Sequence, residues 1–263
     1  MANPIQAIRN VYDIAKGARD NEKPLTDEEI KSLLEKTVSN ESLISKYPRF
    51  EKGYAAEDLF MRIYSLLPWV KSVVPLGQEQ FPEKSKETLQ IPDYEITFEA
   101  GSEKNVSCIL VEVKLVDGDK KTYELQKYKY EVLKEFSTQK KKPLLFALFW
   151  KKQSTWTINS IESFAEKSSS YKISYENAFM DDLSAIFGDY TYLFQKQCYR
   201  KSVFSNNNNV NTQFFHEHAK YGRTIYEGLS INGENFEQLC MLESPLLDCA
   251  FDFKEISHKK FKF

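Results

Sequence analysis

Two carboxylates and one ammonium stand at a spacing that could serve phosphate chemistry. Pro92-Asp93 precedes an alternating stretch, Tyr94-Glu95-Ile96-Thr97-Phe98, and Glu112-Val113-Lys114 lies within a second stretch from Val106 to Val116. Carboxylates brought close together repel and resist joint ionisation unless a cation lies between them. Mg²⁺ suits that role, because it prefers oxygen and typically takes one or two carboxylates while keeping waters and substrate phosphate oxygens. A lysine beside such an ion can orient an attacking water or neutralise charge on a pentacovalent phosphate. The same residues also suit a surface hairpin with scattered charges, since tripeptides of the Glu-x-Lys kind are common.

The elements must then bring these groups together. Alternation over Tyr94–Phe98 is the period-2 signature of a half-buried strand, and Gly101-Ser102 marks a turn. In the second strand Ile109, Val111, Val113 and Leu115 share one face, and Cys108, Leu110, Glu112 and Lys114 the other. An antiparallel hairpin with Phe98 opposite Val106 sets Asp93 opposite Val111, within about one residue of Glu112. A third acid comes from a helix expected over Glu51–Leu67, where Glu57 falls inside the apolar sector formed by Tyr54, Leu59, Phe60, Met61, Ile63, Tyr64 and Leu67. Asp58, Arg62 and Ser65 fall on the polar face. A carboxylate pointed toward a core is costly unless paired or bound to a cation. Glu57 is therefore an edge residue, the partner of a buried lysine, or a third group aimed at the same ion.

Charge is unevenly spread. The chain carries a net charge of −2, yet residues 104–159 hold 12 basic and 6 acidic side chains, so the basic excess surrounds and follows Glu112 and Lys114. A phosphate backbone would be held there, although a solvated lysine-rich helix face gives the same pattern. The four cysteines, Cys108, Cys198, Cys240 and Cys249, lack paired spacing, which argues against a zinc ribbon or disulfide framework and for reduced thiols in the cytoplasm. No stretch resembles a signal peptide or approaches the ~20 apolar residues of a membrane span, so no membrane partner is expected.

Along the chain, Met1–Asp20 reads as a helix through Ile5, Ile8, Val11, Tyr12 and Ala15, and Thr26 with Glu29 forms a capping box opening a second helix with Ile30, Leu33 and Leu34. Neither suggests chemistry. Leu76–Gln90 reads as a loop or irregular strand. A helix is expected over Thr122–Phe136 with Leu125, Tyr128, Val132, Leu133 and Phe136 at helical intervals, stopped by Lys140-Lys141-Lys142-Pro143. Pro143–Trp150 is a continuous apolar run, the pattern of a strand buried on both faces, and Trp156–Ile158 suggests another strand. The order helix, strand, strand, helix, strand describes a mixed α/β sheet covered by helices.

That order, with Glu57 on the first helix, Pro92-Asp93 opening a strand and Glu112-Val113-Lys114 on the next, resembles the PD-(D/E)xK nuclease superfamily. Gln126 and Tyr130 are similar to the QxxxY motif of its RecB-like branches. The resemblance spans about residues 51–159. It implies a restriction endonuclease-like mixed sheet, Mg²⁺ (with Mn²⁺ as substitute) bound by Asp93 and Glu112, Lys114 assisting the water nucleophile, and Glu57 supporting that ion or a second one. It also implies that Gln126, Tyr130 and Lys127 contact DNA or steady the site. The expected protein is a DNA endonuclease of restriction, phage defence or repair. The alternative is a non-cleaving DNA- or junction-binding protein on the same fold. A purely structural interaction domain is disfavoured by the basic excess.

The expected organisation is an N-terminal helical segment (1–50), a nuclease core (51–159) and a C-terminal α+β extension (160–263) suited to specificity or homodimerisation. Within the extension, Asn159–Asp189 reads as helical, Tyr190–Phe204 and Thr224–Leu229 as strands, and Ser205–Asn209 as a polar loop. His216 and His218 flank Glu217 without a third ligand at usable spacing, so solvated histidines at a strand edge are the favoured reading.

Overall fold

The computed structural model describes residues 4–21, 23–77, 85, 87–98, 108–184, 197–207, 210, 212, 214, 217–218, 221–240, 243–250 and 253–257. The chain separates into two compact units, 1–189 and 190–263. The N-terminal helices and residues 160–184 therefore share a unit with the Asp93–Lys114 hairpin.

In the first unit, α1 (Pro4–Asp20), α2 (Asp27–Thr37), α3 (Glu41–Ile44) and α4 (Tyr47–Ser65) precede the sheet. Burial of Ala7, Ile8, Val11, Tyr12 and Ala15 along one stripe packs α1 into a cluster with Leu34, Val38, Tyr47 and Tyr54. The capping box forms: Thr26 Oγ1 accepts from the Glu29 amide at 3.2 Å and Glu29 Oε2 from the Thr26 amide at 2.8 Å. Ile5 is exposed, at the rim of the α1 stripe.

Five strands form the main sheet: β1 (Val70–Pro75), β2 (Tyr94–Phe98), β3 (Cys108–Val116), β5 (Leu144–Trp150) and β6 (Thr155–Asn159), in the order β1-β2-β3-β5-β6. The edge strand β1 was not legible in the sequence pattern. Strands β1, β2 and β3 run antiparallel, and β3 pairs parallel with β5. A parallel neighbour requires a crossover, supplied by β4 (Thr122–Gln126) and α5 (Lys127–Lys140). Phe60 on α4 stacks against Tyr64 and meets Tyr94 and Trp156, covering one sheet face, while Leu133 on α5 joins Phe146, Leu148 and Trp150 in the core on the other. This is a mixed α/β fold, a mixed sheet flanked by helices, consistent with the restriction endonuclease-like arrangement expected from the sequence.

Three expectations are corrected. The helix expected from Thr122 begins only at Lys127, because alternating Thr122-Tyr123-Glu124-Leu125 pairs with β8 (Ser170–Ser174). Tyr128 is consequently exposed instead of facing the core. Over its described residues, 159–184, the helix expected over Asn159–Asp189 is instead a short 3-10 turn, β7 (Ala165–Glu166), β8 and the brief α6 (Tyr175–Met180); residues 185–189 lie outside the described residues. Ser168-Ser169-Ser170 interrupts the helical period, and Tyr171 and Ile173 then alternate as a strand requires. Buried Asn159 donates to the carbonyls of Ala178 (2.8 Å) and Asp181 (3.2 Å), tying the end of α6 to β6.

The second unit contains β9 (Tyr199–Ser205), β10 (Glu217–His218), β11 (Gly222–Ser230), β12 (Glu237–Gln238) and α7 (Glu243–Ala250). Strand β11 pairs antiparallel with β9, β10 and β12. Arg200 on β9 donates to Glu227 on β11 and to Ser244 and Asp248 on α7, and Ser202 also caps Glu227. His216 and the side chain of His218 lie outside the described residues, as do residues 208–209 of the polar loop and 185–196.

Candidate active site

The observed pairing of β2 with β3 sets Tyr94 opposite Val111 and Ile96 opposite Ile109. It differs by one residue from the register expected from the turn. The difference strengthens the convergence, because one step beyond Tyr94 the ladder brings Asp93 level with Glu112. Asp93 Oδ2 accepts the Val113 amide at 2.8 Å, fixing the carboxylate across the hairpin. Lys114 donates to Glu112 Oε1 at 2.6 Å and the Val113 carbonyl at 2.9 Å, and its ammonium is 3.5 Å from Asp93 Oδ2. Asp93, Glu112 and Lys114 thus meet at one end of the hairpin.

The two carboxylates are nearly dry, while the Lys114 side chain is 31 % exposed. The Glu112 side chain is 3 % exposed and that of Asp93 9 %. Burial, reinforced by Asp93 and opposed by Lys114, raises the Glu112 carboxyl to about 7. Burial alone would lower the Lys114 ammonium. Asp93, Glu112 and the Tyr123 phenol more than offset that effect and hold it well above its ordinary range. Glu112 Oε2 is buried and has no hydrogen-bond partner. A carboxylate oxygen in that state is costly, and a hard divalent cation is one kind of partner that would satisfy it. Asp93 and Glu112 therefore fit Mg²⁺, which needs no more than one or two protein carboxylates. Among the described residues, no three His, Cys, Asp or Glu side chains form a ready set of metal ligands.

Glu57 lies close enough for Asp93 to act on it. Burial first, then Asp93, raises its carboxyl to about 8, with Lys114 and Arg9 opposing. Its Oε2 accepts from Arg9 of α1 at 2.8 Å, an arginine where the sequence reading had named a lysine. The Tyr94 hydroxyl donates to the Glu57 carbonyl at 3.0 Å, joining α4 to β2 at this level. Asp58, expected on the polar face, is buried and accepts from Arg9 (2.9 Å), the Tyr12 hydroxyl (2.9 Å) and Lys16 (2.6 Å). The reason is that α1 packs over this side of α4 and supplies the donors.

The QxxxY residues are placed differently from one another. Gln126 is exposed at the strand-to-helix junction and caps α5 through backbone geometry without a side-chain hydrogen bond. Tyr130 packs edge-on to Tyr171 at 5.2 Å between centroids and tilts against Phe146 at 6.4 Å. Phe146 is the β5 partner of Glu112, so Tyr130 buttresses the strand behind the acid. Lys127 pairs with Glu166 at 2.5 Å and lies 5.7 Å over the Tyr171 ring.

Arg9, Asp58 and Tyr123 were missed at the sequence level. Arg9, Asp13 and Lys16 do form a charged stripe at helical spacing beside the apolar stripe of α1, and that stripe was the available signal. Tyr123 on β4 comes within electrostatic reach of Asp93, Glu112 and Lys114, and burial pushes its phenol up to about 12.

No protein-family model matches the chain, and no curated protein matches it. Among solved structures, the chain is similar to the 1.6 Å structure of Archaeoglobus fulgidus Hjc, described as a Holliday junction resolvase from an archaeal hyperthermophile. The TM-score is 0.39 at 15% identity, over 54% of this chain and 99% of that one.

Proposed function

We propose that the chain is a Mg²⁺-dependent DNA endonuclease whose site is Asp93, Glu112 and Lys114. The observation that carries this reading is the partnerless, buried Glu112 Oε2 beside Asp93, with Lys114 bridging the two acids. Asp93 and Glu112 would hold the ion, with Mn²⁺ able to replace it. When bound, the ion supplies Lewis-acid charge and a more acidic water.

The chain's own groups do the rest. Asp93 is fastened by the Val113 amide and shares the Lys114 ammonium with Glu112. The Lys114 ammonium stays protonated and supplies positive charge where the phosphate gains negative charge as water attacks the phosphorus in line. The products, carried over from the resemblance, are a 5′-phosphate and a 3′-hydroxyl. Tyr130 steadies β5 behind Glu112, while exposed Gln126 and the lysines of residues 104–159 suit contacts with the DNA backbone. Cutting both strands of a duplex with one such site per chain is met most directly by a C2 homodimer. Restriction, phage defence and repair all use this chemistry.

Supercoiled plasmid incubated with the protein in EDTA, Mg²⁺ or Mn²⁺ tests the reading. Cleavage with either ion and none in EDTA is expected. Retained DNA binding without cleavage under any condition would identify a non-cleaving binding protein on this fold.

A further inference from the structure

Arg9 belongs to α1, outside the span of the nuclease resemblance, yet its guanidinium reaches the edge of the site. Nη1 donates to Glu57 at 2.8 Å and Nη2 to Asp58 at 2.9 Å, and Nε lies 3.3 Å from Asp13. The group also sits 4.6 Å over the Tyr54 ring and 5.3 Å from that of Tyr12. Asp58 is itself immobilised by Tyr12 and Lys16. Arg9 is therefore anchored from behind, and its guanidinium directs Nη1 at Glu57.

We propose that Arg9 is a positioning residue that sets the number of divalent ions the site accepts, by holding Glu57 out of the ligand set. The proposal rests on the reading of Asp93 and Glu112 as an ion site. With every carboxyl ionised, as ion binding requires, five acids (Asp13, Glu57, Asp58, Asp93 and Glu112) face three cations (Arg9, Lys16 and Lys114), which leaves two net negative charges. One divalent ion balances that charge, and a second would meet repulsion. Without Arg9 the same five acids face Lys16 and Lys114 alone. Glu57 then lacks its partner while Asp93 still repels it, and a second cation becomes its compensating charge. The N-terminal helix thus acts on the site through a side chain that touches neither Asp93, Glu112 nor Lys114 in the described contacts.

Counting bound Mn²⁺ by electron paramagnetic resonance on the full chain without DNA tests this directly. The native chain should bind one ion, Arg9→Gln two, and Arg9→Gln combined with Glu57→Gln one again. Glu57→Gln alone should keep one ion with affinity changed by less than about tenfold, and this arm decides the matter even if Arg9→Gln fails to fold. Two ions on the native chain falling to one in Glu57→Gln would overturn the proposal, because Glu57 would then be a ligand. A folded Arg9→Gln protein that binds one ion with native affinity would overturn it as well. No Mn²⁺ on any variant would overturn both this proposal and the ion site on which it rests, an outcome distinct from the other two.

Discussion

At the scale of single residues, the site depends on three side chains with different duties. In the proposed reaction Lys114 supplies positive charge, and as an ammonium it is not a metal ligand. Lys114→Ala should therefore abolish turnover while ion binding stays measurable by calorimetry, with affinity equal or higher because a competing cation is gone. Loss of ion binding together with turnover would mean that Lys114 holds the carboxylates in place. Protonation gives a second check. Glu57 and Glu112 ordinarily ionise near 4.5, but in the folded chain they do so at about 8 and about 7. Between those values the folded chain binds more protons than the unfolded one, so their contribution is favourable below 4.5 and is lost as pH rises through the folded values. The ion-free protein should lose melting temperature from pH 5 to pH 8, and Glu112→Gln should flatten that decline. A decline of native steepness in Glu112→Gln would show that the burial of Glu112 does not cause it.

At the scale of elements, the junction between α1 and α4 is the less obvious support of the site. Asp58 is 6 % exposed and takes three donors from α1, so removing its carboxylate leaves Arg9 and Lys16 without their shared partner. Asp58→Ala should cost about 3–5 kcal/mol in urea unfolding, in keeping with the loss of one member of a buried ion pair. A cost near that of a surface substitution, below about 0.5 kcal/mol, would contradict the buried placement. This junction also shows what the sequence could and could not convey. The pairing of β2 with β3 was legible because alternation and an apolar run are local signals, and its observed register lies one residue from the expected one, while the expected turn at Gly101-Ser102 lies outside the described residues. The burial of Asp58 was not legible, since its donors lie 42 to 49 positions away and its own helix presents it on the polar side. Glu57 drew notice as an acid among apolar neighbours, but the identity of its partner depended on how α1 docks. Strand β4 was read as helix because Leu125 fits both periods, and only pairing with β8 decides between them.

At the scale of the whole molecule, the first unit contains every residue of the candidate site, and among the described residues no helix is long and apolar enough to cross a membrane. The second unit has its own sheet and its own buried ion pair, Arg200 with Glu227, whose side chains are 9 % and 1 % exposed. A module with a separate core is suited to a task other than the chemistry, and homodimer formation is the task proposed for it. Light scattering at micromolar concentration should give twice the chain mass of 30.7 kDa. A species that stays monomeric with DNA and Ca²⁺ bound, yet breaks both strands in one encounter, would exclude the dimer.

The most direct test of the central claim is single-turnover cleavage of supercoiled plasmid in Mg²⁺ by the native chain, Asp93→Asn and Glu112→Gln. Each substitution preserves size and removes the charge that would hold the ion. The native chain should cut, and each variant should lose cleavage by about a thousandfold or more while remaining folded and bound to DNA. Cleavage at the native rate by the double variant Asp93→Asn with Glu112→Gln would show that the chemistry lies elsewhere.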